Sequence, residues 1–591
     1  MTLRREWIWS FDAPRERVWP YLADTNEINR LSGLPPIAYA YEPQPDGSVR
    51  ARASLRYGPF RVAWDEPPFA WSAPEYHDVE RRYRAGPLRR FRTRTELADR
   101  GGSTDVRVTV ELDARSGAFA PFLPAVAERG RRGLDRAMRA VREALATGSG
   151  SAAPQVVPPR FAPLLAQGFD RDAVARFAAF LAEADDAAVA RIRPFEIADR
   201  IGADRRTLLR ICLASTRMGL LNLSWSVLCA SCGGAKARLD GLAGLGPTHC
   251  DACNIRFDPL FDRSVEVTFD AGPLGRTADV PAYCFAGPGA SPHVVAQVDV
   301  PAGASAAFDA ELPRGHYLAH AMGGASVPFA ADDTAGDAPV CVRLNGAIEG
   351  VPAELRAGRR TVTVANGAAR AAVLRIESAA WPDTIATAAQ VTAMQDFRDL
   401  FASDVLAPGV EVAIRSLAIL FTDVVGSTAM YRAGGDAPAF RTVSDHFEAI
   451  RAVVAGRGGA IVKTIGDAVM AVFDDPEACF DAAVHLDAAV SHLRCADRPV
   501  RLRVGFHAGP CIAMRANDRL DYFGSTVNLA ARLEGAAELG EVAMAASDAE
   551  RPGIAAAIAA LGLRTQRREI RLKGIESAIS VVRVDAKTAP G

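Results

Sequence analysis

Two aspartates stand where chemistry is most readily read in this chain. Asp423 ends the apolar run of "SLAILFTDVVGSTAM" (416–430), and Asp467 lies between "AIVKTI" and "AVMAVF", directly behind Gly466. The first stretch reads as a strand entering a helix start at Gly426, Ser427 and Thr428, and the second as a hairpin with an acid at its tip. Two carboxylates drawn to one sheet edge repel each other unless a cation lies between them. Hard Mg2+, or Mn2+ in its place, takes carboxylate and phosphate oxygens, and a pair of such ions about 3.5–4 Å apart activates an attacking oxygen while stabilising a leaving one. The N–H groups of the helix start would face the phosphates. The expected chemistry is phosphoryl transfer from a nucleoside triphosphate, with two divalent ions per site on Asp423 and Asp467.

Four cysteines form a second constellation. "CASC" at 229–232 and "CDAC" at 250–253 give CxxC twice, across a spacer that holds Gly233, Gly234, Gly246 and Pro247. Cys229, Cys232, Cys250 and Cys253 thereby predict a tetrahedral thiolate shell for one structural Zn2+. A closed shell leaves no position for substrate, so this metal would support folding only. The remaining six of the ten cysteines are scattered, which fits a reducing compartment. The N-terminus "MTLRREWIWSFDAP" lacks the apolar core of a signal peptide, and no run approaches the ~20 apolar residues of a membrane helix. A cytoplasmic location is expected. A net charge of −1 gives no general attraction to nucleic acid or anionic lipid. Only Lys236, Lys463, Lys573 and Lys587 break a basic complement otherwise written in arginine, so a lysine here marks a place where a compact ammonium is wanted.

The elements that must position these groups belong to a multidomain α+β chain, since 591 residues require roughly three to five domains. Residues 1–148 run from "REWIWSFDAPRERVWPYLAD" through strand-like "VRARASLRYG" and "STDVRVTVEL" to an amphipathic helix in "LPAVAERGRRGLDRAMRAVREAL". A curved sheet gripping a C-terminal helix resembles the helix-grip (SRPBCC) fold of START lipid-transfer domains and birch-pollen allergens, which implies a small apolar ligand. The Arg cluster "RRYRAGPLRRFRTR" (81–94) is expected to be solvated strand faces. Residues 149–160 are a Gly-, Ser- and Pro-containing linker. In 161–228, "RPFEIADRIGADRRTLLRICLASTRMGLL" resembles a winged-helix style of helix-turn-helix; Arg205, Arg206 and Arg210 are its candidate base readers, but interspersed acids make a docking or architectural role the favoured reading. Residues 229–258 are the zinc ribbon, 259–383 a small β-sandwich of short alternating strands, and 384–411 a transducer helix whose Phe397, Leu400 and Phe401 pack on a partner.

The last region, 412–586, alternates strands and helices in a ferredoxin-like sheet. Here "FTDVVGST", "KTIGDAVMAVF", "LRVGFHAG", "DYFGSTVNLAARLE" and "LKG", in this order, resemble a class III nucleotidyl cyclase domain. The resemblance implies that Asp423 and Asp467 hold the metals with the carbonyl of Val424, that Arg503 contacts phosphate, and that Lys463 and Asp521 read the purine. It further implies that Asn528 and Arg532 serve ribose and transition state, that Lys573 binds the triphosphate, and that the site forms between two chains of a homodimer. Lys463 can donate to adenine N1 and Asp521 can accept from its N6 amine, a polarity that guanine reverses. Asn528 and Arg532, four apart, share a helix face. The expected function is an adenylate cyclase making cyclic AMP and pyrophosphate from ATP, regulated by the N-terminal domains. The alternatives are a guanylate cyclase, or a non-catalytic nucleotide-sensing or DNA-binding regulator. A diguanylate cyclase is disfavoured because "GGD" at 434–436 lacks a hairpin context. His507, inside "VGFHAG", is expected to be a packed strand histidine, not a base.

Overall fold

The computed structural model describes residues 2–43, 49–57, 60–147, 157–184, 186–229, 235–250, 255–274, 287–322, 325–337, 339–379, 383–426, 436–495, 498–571 and 578–586. The N-terminal unit opens with a strand at Thr2–Phe11 and helices at Arg15–Ala23 and Thr25–Leu31, and closes with a helix at Leu123–Thr147. In the strand Thr104–Ala114, Val106, Val108, Val110 and Leu112 alternate inward, as a period of two requires, and join Met138 and Val141 of the closing helix in one core. The Arg-rich stretch is laced by cross-strand pairs: Arg92 to Asp78 at 2.6 Å, Arg84 to Asp65 at 2.7 Å and Arg90 to Glu80 at 3.0 Å. Arg81 is buried, with its guanidinium 5.0 Å from the centre of the Trp64 ring.

This sheet does not end with the N-terminal unit. Trp71 and Ser72 pair with Gln297 and Ala296, so the sheet runs on into Val294–Val300, and the Trp71 indole N–H donates to the Val294 carbonyl at 3.0 Å. A second layer, Ser305–Leu312, Gly358–Asn366, Val340–Leu344 and Ile348–Glu349, completes a sandwich around Phe308, Tyr317, Phe329, Val362 and Leu374.

The helical region contains α1 (Arg205–Arg217), capped by Asp204, whose carboxylate accepts from the Thr207 N–H at 2.7 Å. It is followed by β1 (Leu221–Leu228), to which β2 (Val265–Ala271) pairs antiparallel. The strand 265–271, expected in the sandwich, thus belongs with the helices, because Val265, Val267 and Phe269 are buried with Trp225 in their core. Three of the four arginines of α1, the candidate base readers, are occupied within the chain: Arg205 by Asp199 and Asp383, Arg210 by Asp396, and Arg206 by the Ala455 carbonyl at 3.4 Å.

The single transducer helix expected over 384–411 is replaced by two short ones, α2 (Ala388–Thr392) and α3 (Gln395–Leu400). Met394 between them is extended, at φ −91° and ψ 135°, and α2 is closed at its start by a Thr387–Gln390 capping box. The break lets Phe397 meet the edge of Trp225 at 5.8 Å and stack with Phe401 at 5.4 Å, so its partner lies in the same chain.

The C-terminal domain comprises β3 (Glu411–Val424), α4 (Asp436–Gly456), β4 (Ala460–Ile465), β5 (Ala468–Phe473), α5 (Pro476–Val490), β6 (Leu502–Ala516), β7 (Arg519–Phe523), α6 (Ser525–Glu534), β8 (Glu541–Ala545), β9 (Thr565–Ile570) and β10 (Ile579–Asp585). The strands order as β4-β5-β3-β6-β8-β10-β9, with β7 paired to β6. The continuous apolar run of β3 is explained by burial on both faces. Ala418 and Leu420 pack under α4 and α5 with Ile450, Val454 and Phe480. Leu417, Ile419 and Phe421 point the other way, into a core shared with α1, β1, β2, α2 and α3. Among the described residues no helix is long and apolar enough to cross a membrane.

Candidate active site

Asp423 continues the alternation of Ile419 and Phe421 and therefore projects on the face shared with α6. Its cross-strand partner is Arg503 of β6, which donates a guanidinium hydrogen bond to Asp423 Oδ2. Asp467 follows Gly466, whose φ of +65° is the left-handed conformation that turns β4 into β5. The oxygen Asp467 Oδ2 is buried and meets no hydrogen-bond partner. The backbone carbonyl of Asp467 is held at 3.2 Å by Nε2 of His446, a fully buried imidazole whose pKa burial depresses.

A third carboxylate completes the group, and the sequence reading missed it. Glu534, at the end of α6, places Oε1 3.2 Å from Arg503 Nε. Burial raises its pKa to about 7; Arg503 opposes that rise, while Asp423 and Asp467 add to it. Asp423, Asp467 and Glu534 thus all act on the one Arg503 guanidinium, and the two aspartates alone outweigh its charge, so the group is net negative. The orphaned buried oxygen of Asp467 and this excess of negative charge suit a hard divalent cation such as Mg2+ or Mn2+, with Asp423 and Asp467 as the residues that would hold it, although the three carboxylates do not converge on one point as a ready-made cage. The signal was present in "NLAARLE": Glu534 lies 600° around the helix from Asn528, away from the Asn528 and Arg532 face and towards the sheet.

A separate group gathers on the strand edges. Lys463 Nζ of β4 lies 2.5 Å from Asp521 Oδ2 of β7, with side chains 41 % and 15 % exposed. Asn528 and Arg532 are both exposed on α6. Among the described residues, no hydrogen bond or ion pair joins Asp423, Asp467, Arg503 or Glu534 to Lys463, Asp521, Asn528 or Arg532. Val424 is buried at the end of β3, and Gly426 stands exposed at φ +74°. Ser427, Thr428 and Lys573 lie outside the described residues. His507 Nδ1 meets buried Asp548 at 2.7 Å, which accounts for it as a packed strand histidine.

Residues 411–577 match the adenylate and guanylate cyclase catalytic domain, and residues 159–281 match a family of unknown function, DUF5939. The C-terminal domain is a class III adenylate/guanylate cyclase catalytic domain. An uncharacterized protein of Mycobacterium tuberculosis is 38 % identical over 126 residues, 21 % of this chain and 32 % of that protein. An adenylate cyclase of Streptomyces coelicolor is 36 % identical over 129 residues, 21 % of this chain and 30 % of its own length. Guanylate cyclase 32E of Drosophila melanogaster is 31 % identical over 130 residues, 20 % of this chain and 11 % of its own. The crystal structure of the adenylyl cyclase CyaB from P. aeruginosa aligns with 30 % of this chain and 95 % of its own at 22 % identity, with a TM-score of 0.26. The chain spans about a third of the length of the first curated relatives it matches.

The expected zinc shell gains no support from the described residues. Cys229 and Cys250 are fully buried and share one small cluster with Ile255, Phe257 and Met322, but Cys232 and Cys253 lie outside the described residues. No group of three or more His, Cys, Asp or Glu of metal-holding geometry occurs among the described residues.

Proposed function

We propose that the chain is an adenylate cyclase that converts ATP to 3′,5′-cyclic AMP and pyrophosphate as a homodimer, under the control of its N-terminal domains. The Lys463–Asp521 pair carries this reading. Opened towards a base, its ammonium donates to adenine N1 and its carboxylate accepts from the N6 amine. Guanine sets donor against donor and acceptor against acceptor, and each polar group left unpaired costs about 1–3 kcal/mol, enough for roughly ten- to hundredfold discrimination. The ribose 3′-oxygen attacks the α-phosphorus, the bond to the β-phosphate oxygen breaks, and the hydroxyl proton passes to solvent. Asp423, Asp467 and the Val424 carbonyl would hold divalent ions, which when bound would supply Lewis-acid activation and charge relief at the phosphates. Arg503 turns to a phosphate oxygen, Asn528 orients the ribose, the planar fork of Arg532 meets the equatorial oxygens, and Lys573 holds the triphosphate with the backbone of Gly426, Ser427 and Thr428.

Among the described residues no hydrogen bond or ion pair joins the acid group to the purine group, which is compatible with a site assembled from two chains. Apolar residues flank both groups in exposed positions, Val425 at 38 %, Ile465 at 53 % and Phe523 at 59 %, as a subunit contact needs. A guanylate cyclase is the second reading, favoured by the Drosophila relative. The DNA-binding alternative is disfavoured because Arg205, Arg206 and Arg210 already have partners inside the chain. A small apolar ligand for the N-terminal unit and one Zn2+ on the four cysteines remain part of the proposal; elemental analysis finding no zinc in the purified chain ends the latter. The deciding experiment incubates the full chain with ATP or GTP and Mg2+ or Mn2+ and identifies the product. Cyclic AMP is expected, and Asp423→Ala should abolish it with an unchanged circular dichroism spectrum; cyclic GMP from GTP alone reverses the base assignment, and no product from either nucleotide ends the cyclase reading.

A further inference from the structure

The two strands that carry the purine pair are both edge strands. β4 closes one end of the sheet, and β7 pairs only with β6 among the described strands. Each leaves backbone groups without a strand partner. A bulge between Ile461 and Lys463 disturbs the β4–β5 register, and the turn from β6 into β7 is made by Asn517 and Asp518, both at positive φ. Neither strand therefore fixes the position of its reading side chain through the sheet alone.

One short helix holds both edges. Gln395 Oε1 of α3 accepts from the Ile461 N–H at 2.8 Å, beside the bulge that precedes Lys463. Arg398 Nη1, one turn further along α3, donates to the Leu520 carbonyl at 3.0 Å, the residue before Asp521. The guanidinium of Arg398 also lies 5.4 Å from the centre of the Tyr522 ring, the residue after Asp521, and its Nε donates to the Thr392 carbonyl at 2.9 Å. The Thr392 hydroxyl meets Tyr522 OH at 3.2 Å. Leu520 and Tyr522 are buried against this side, so Asp521 between them points the other way, to Lys463.

We infer that α3 is a bracket that sets the spacing of Lys463 and Asp521, and that Gln395 and Arg398 are positioning residues for purine recognition. Both lie outside the matched catalytic domain, in the segment that joins it to the N-terminal units. The inference rests on the reading of Lys463 and Asp521 as the purine-binding pair. A hydrogen-bonded pair that reads two atoms of one ring tolerates little change in spacing, and a shift near 1 Å forfeits about a hundredfold in reactions that depend on such placement.

The test measures kcat and KM for ATP and GTP in the full chain, for the wild type, Gln395→Ala, Arg398→Ala and Arg398→Lys, and for Arg398→Ala combined with Lys463→Ala. Arg398→Ala should raise KM for the preferred nucleotide about tenfold and narrow the ATP-to-GTP ratio of kcat/KM at least about fivefold, with kcat within about threefold of wild type. Arg398→Lys, which keeps a donor near the Leu520 carbonyl, should recover part of the ratio. In the Lys463→Ala background the same change should alter the ratio less than about twofold, a coupling that loss of stability alone does not produce. An unchanged ratio in Arg398→Ala, or an equal effect with and without Lys463, overturns the bracket. A wild-type chain that makes no cyclic nucleotide overturns the cyclase reading and the inference with it, a result separate from either of those.

Discussion

Gly505→Ala tests how closely α6 must sit on the sheet. A β-carbon at Gly505 would lie 2.0 Å from the Glu534 amide nitrogen and 2.5 Å from both Glu534 Cα and the Leu533 carbonyl carbon. These are backbone atoms, so no rotamer change relieves them, and restoring ordinary contact at 3.4 Å moves the end of α6 outward by about 1.4 Å. A helix moves as a unit, which shifts Glu534 from Arg503 and carries Arg532 and Asn528 with it. Overpacking of this kind costs about 1–3 kcal/mol of stability. The effect on turnover should be larger in proportion, since about 1 Å of misplacement in a preorganised site lowers rates by roughly a hundredfold. The assay is steady-state cyclic nucleotide formation alongside a thermal melt. The expected result is a folded protein with kcat down about a hundredfold and a modestly lowered midpoint. Gly535→Ala is the internal control, one residue past the same helix, where the nearest atom is 3.6 Å away and near-wild-type activity is expected. A folded Gly505→Ala variant with kcat within about twofold of wild type would refute the claim that the seat of α6 sets the geometry of the site.

Glu534→Gln should leave the melting temperature nearly unchanged, because burial already holds that carboxyl at a pKa of about 7 and a neutral side chain costs little there. Its turnover should fall roughly ten- to hundredfold as Arg503 loses its second carboxylate, and equal loss of stability and activity would count against a positioning role. His77 gives a pH dependence of known sign. The imidazole is fully buried, burial lowers its pKa from 6.5 to about 4, and Nδ1 meets no hydrogen-bond partner. The fold therefore favours the neutral form: its stability is complete above pH 6.5 and declines as pH falls towards 4, by about 3 kcal/mol in all. Tryptophan fluorescence of unfolding, reporting Trp19 and Trp71 beside it, should show that decline, and His77→Leu should flatten it; an equally steep decline in the variant removes His77 as the cause.

Much of the C-terminal domain was legible because its signals are local. The run Leu417–Phe421 declares a strand buried on both sides, the Gly466–Asp467 turn declares a hairpin, and the i, i+4 spacing of Asn528 and Arg532 declares a shared helix face. Each depends on neighbours within a few residues. Glu534 was harder, since its significance comes from Arg503, far earlier in the chain on another element, and from a glycine that lets backbone meet backbone. The break at Met394 was not legible at all. Residues 388–400 contain neither Gly nor Pro to mark a break, and the interruption answers to packing against Trp225 and to two strand edges, none of which the local sequence records.

The arginines of α1 show where sequence reasoning meets its physical boundary. Their number and spacing were visible, and so was the neutralising effect of nearby acids, but a positive side chain on a helix is compatible with phosphate, carboxylate or carbonyl alike. What decides among these is which surface the helix meets. Asp199 lies six residues from Arg205 and could be anticipated; Asp396 and the Ala455 carbonyl lie 186 and 249 residues away and could not. Those distant contacts turn a helix with the outline of a DNA reader into a wall of the cyclase domain. The apolar residues beside them, Leu208, Leu209 and Leu213, enter the same core as Ile419 and Phe421, the two residues that precede Asp423 on its face of β3. Replacing the arginines with glutamine should therefore lower the stability of the C-terminal domain's packing before it alters any affinity for nucleic acid.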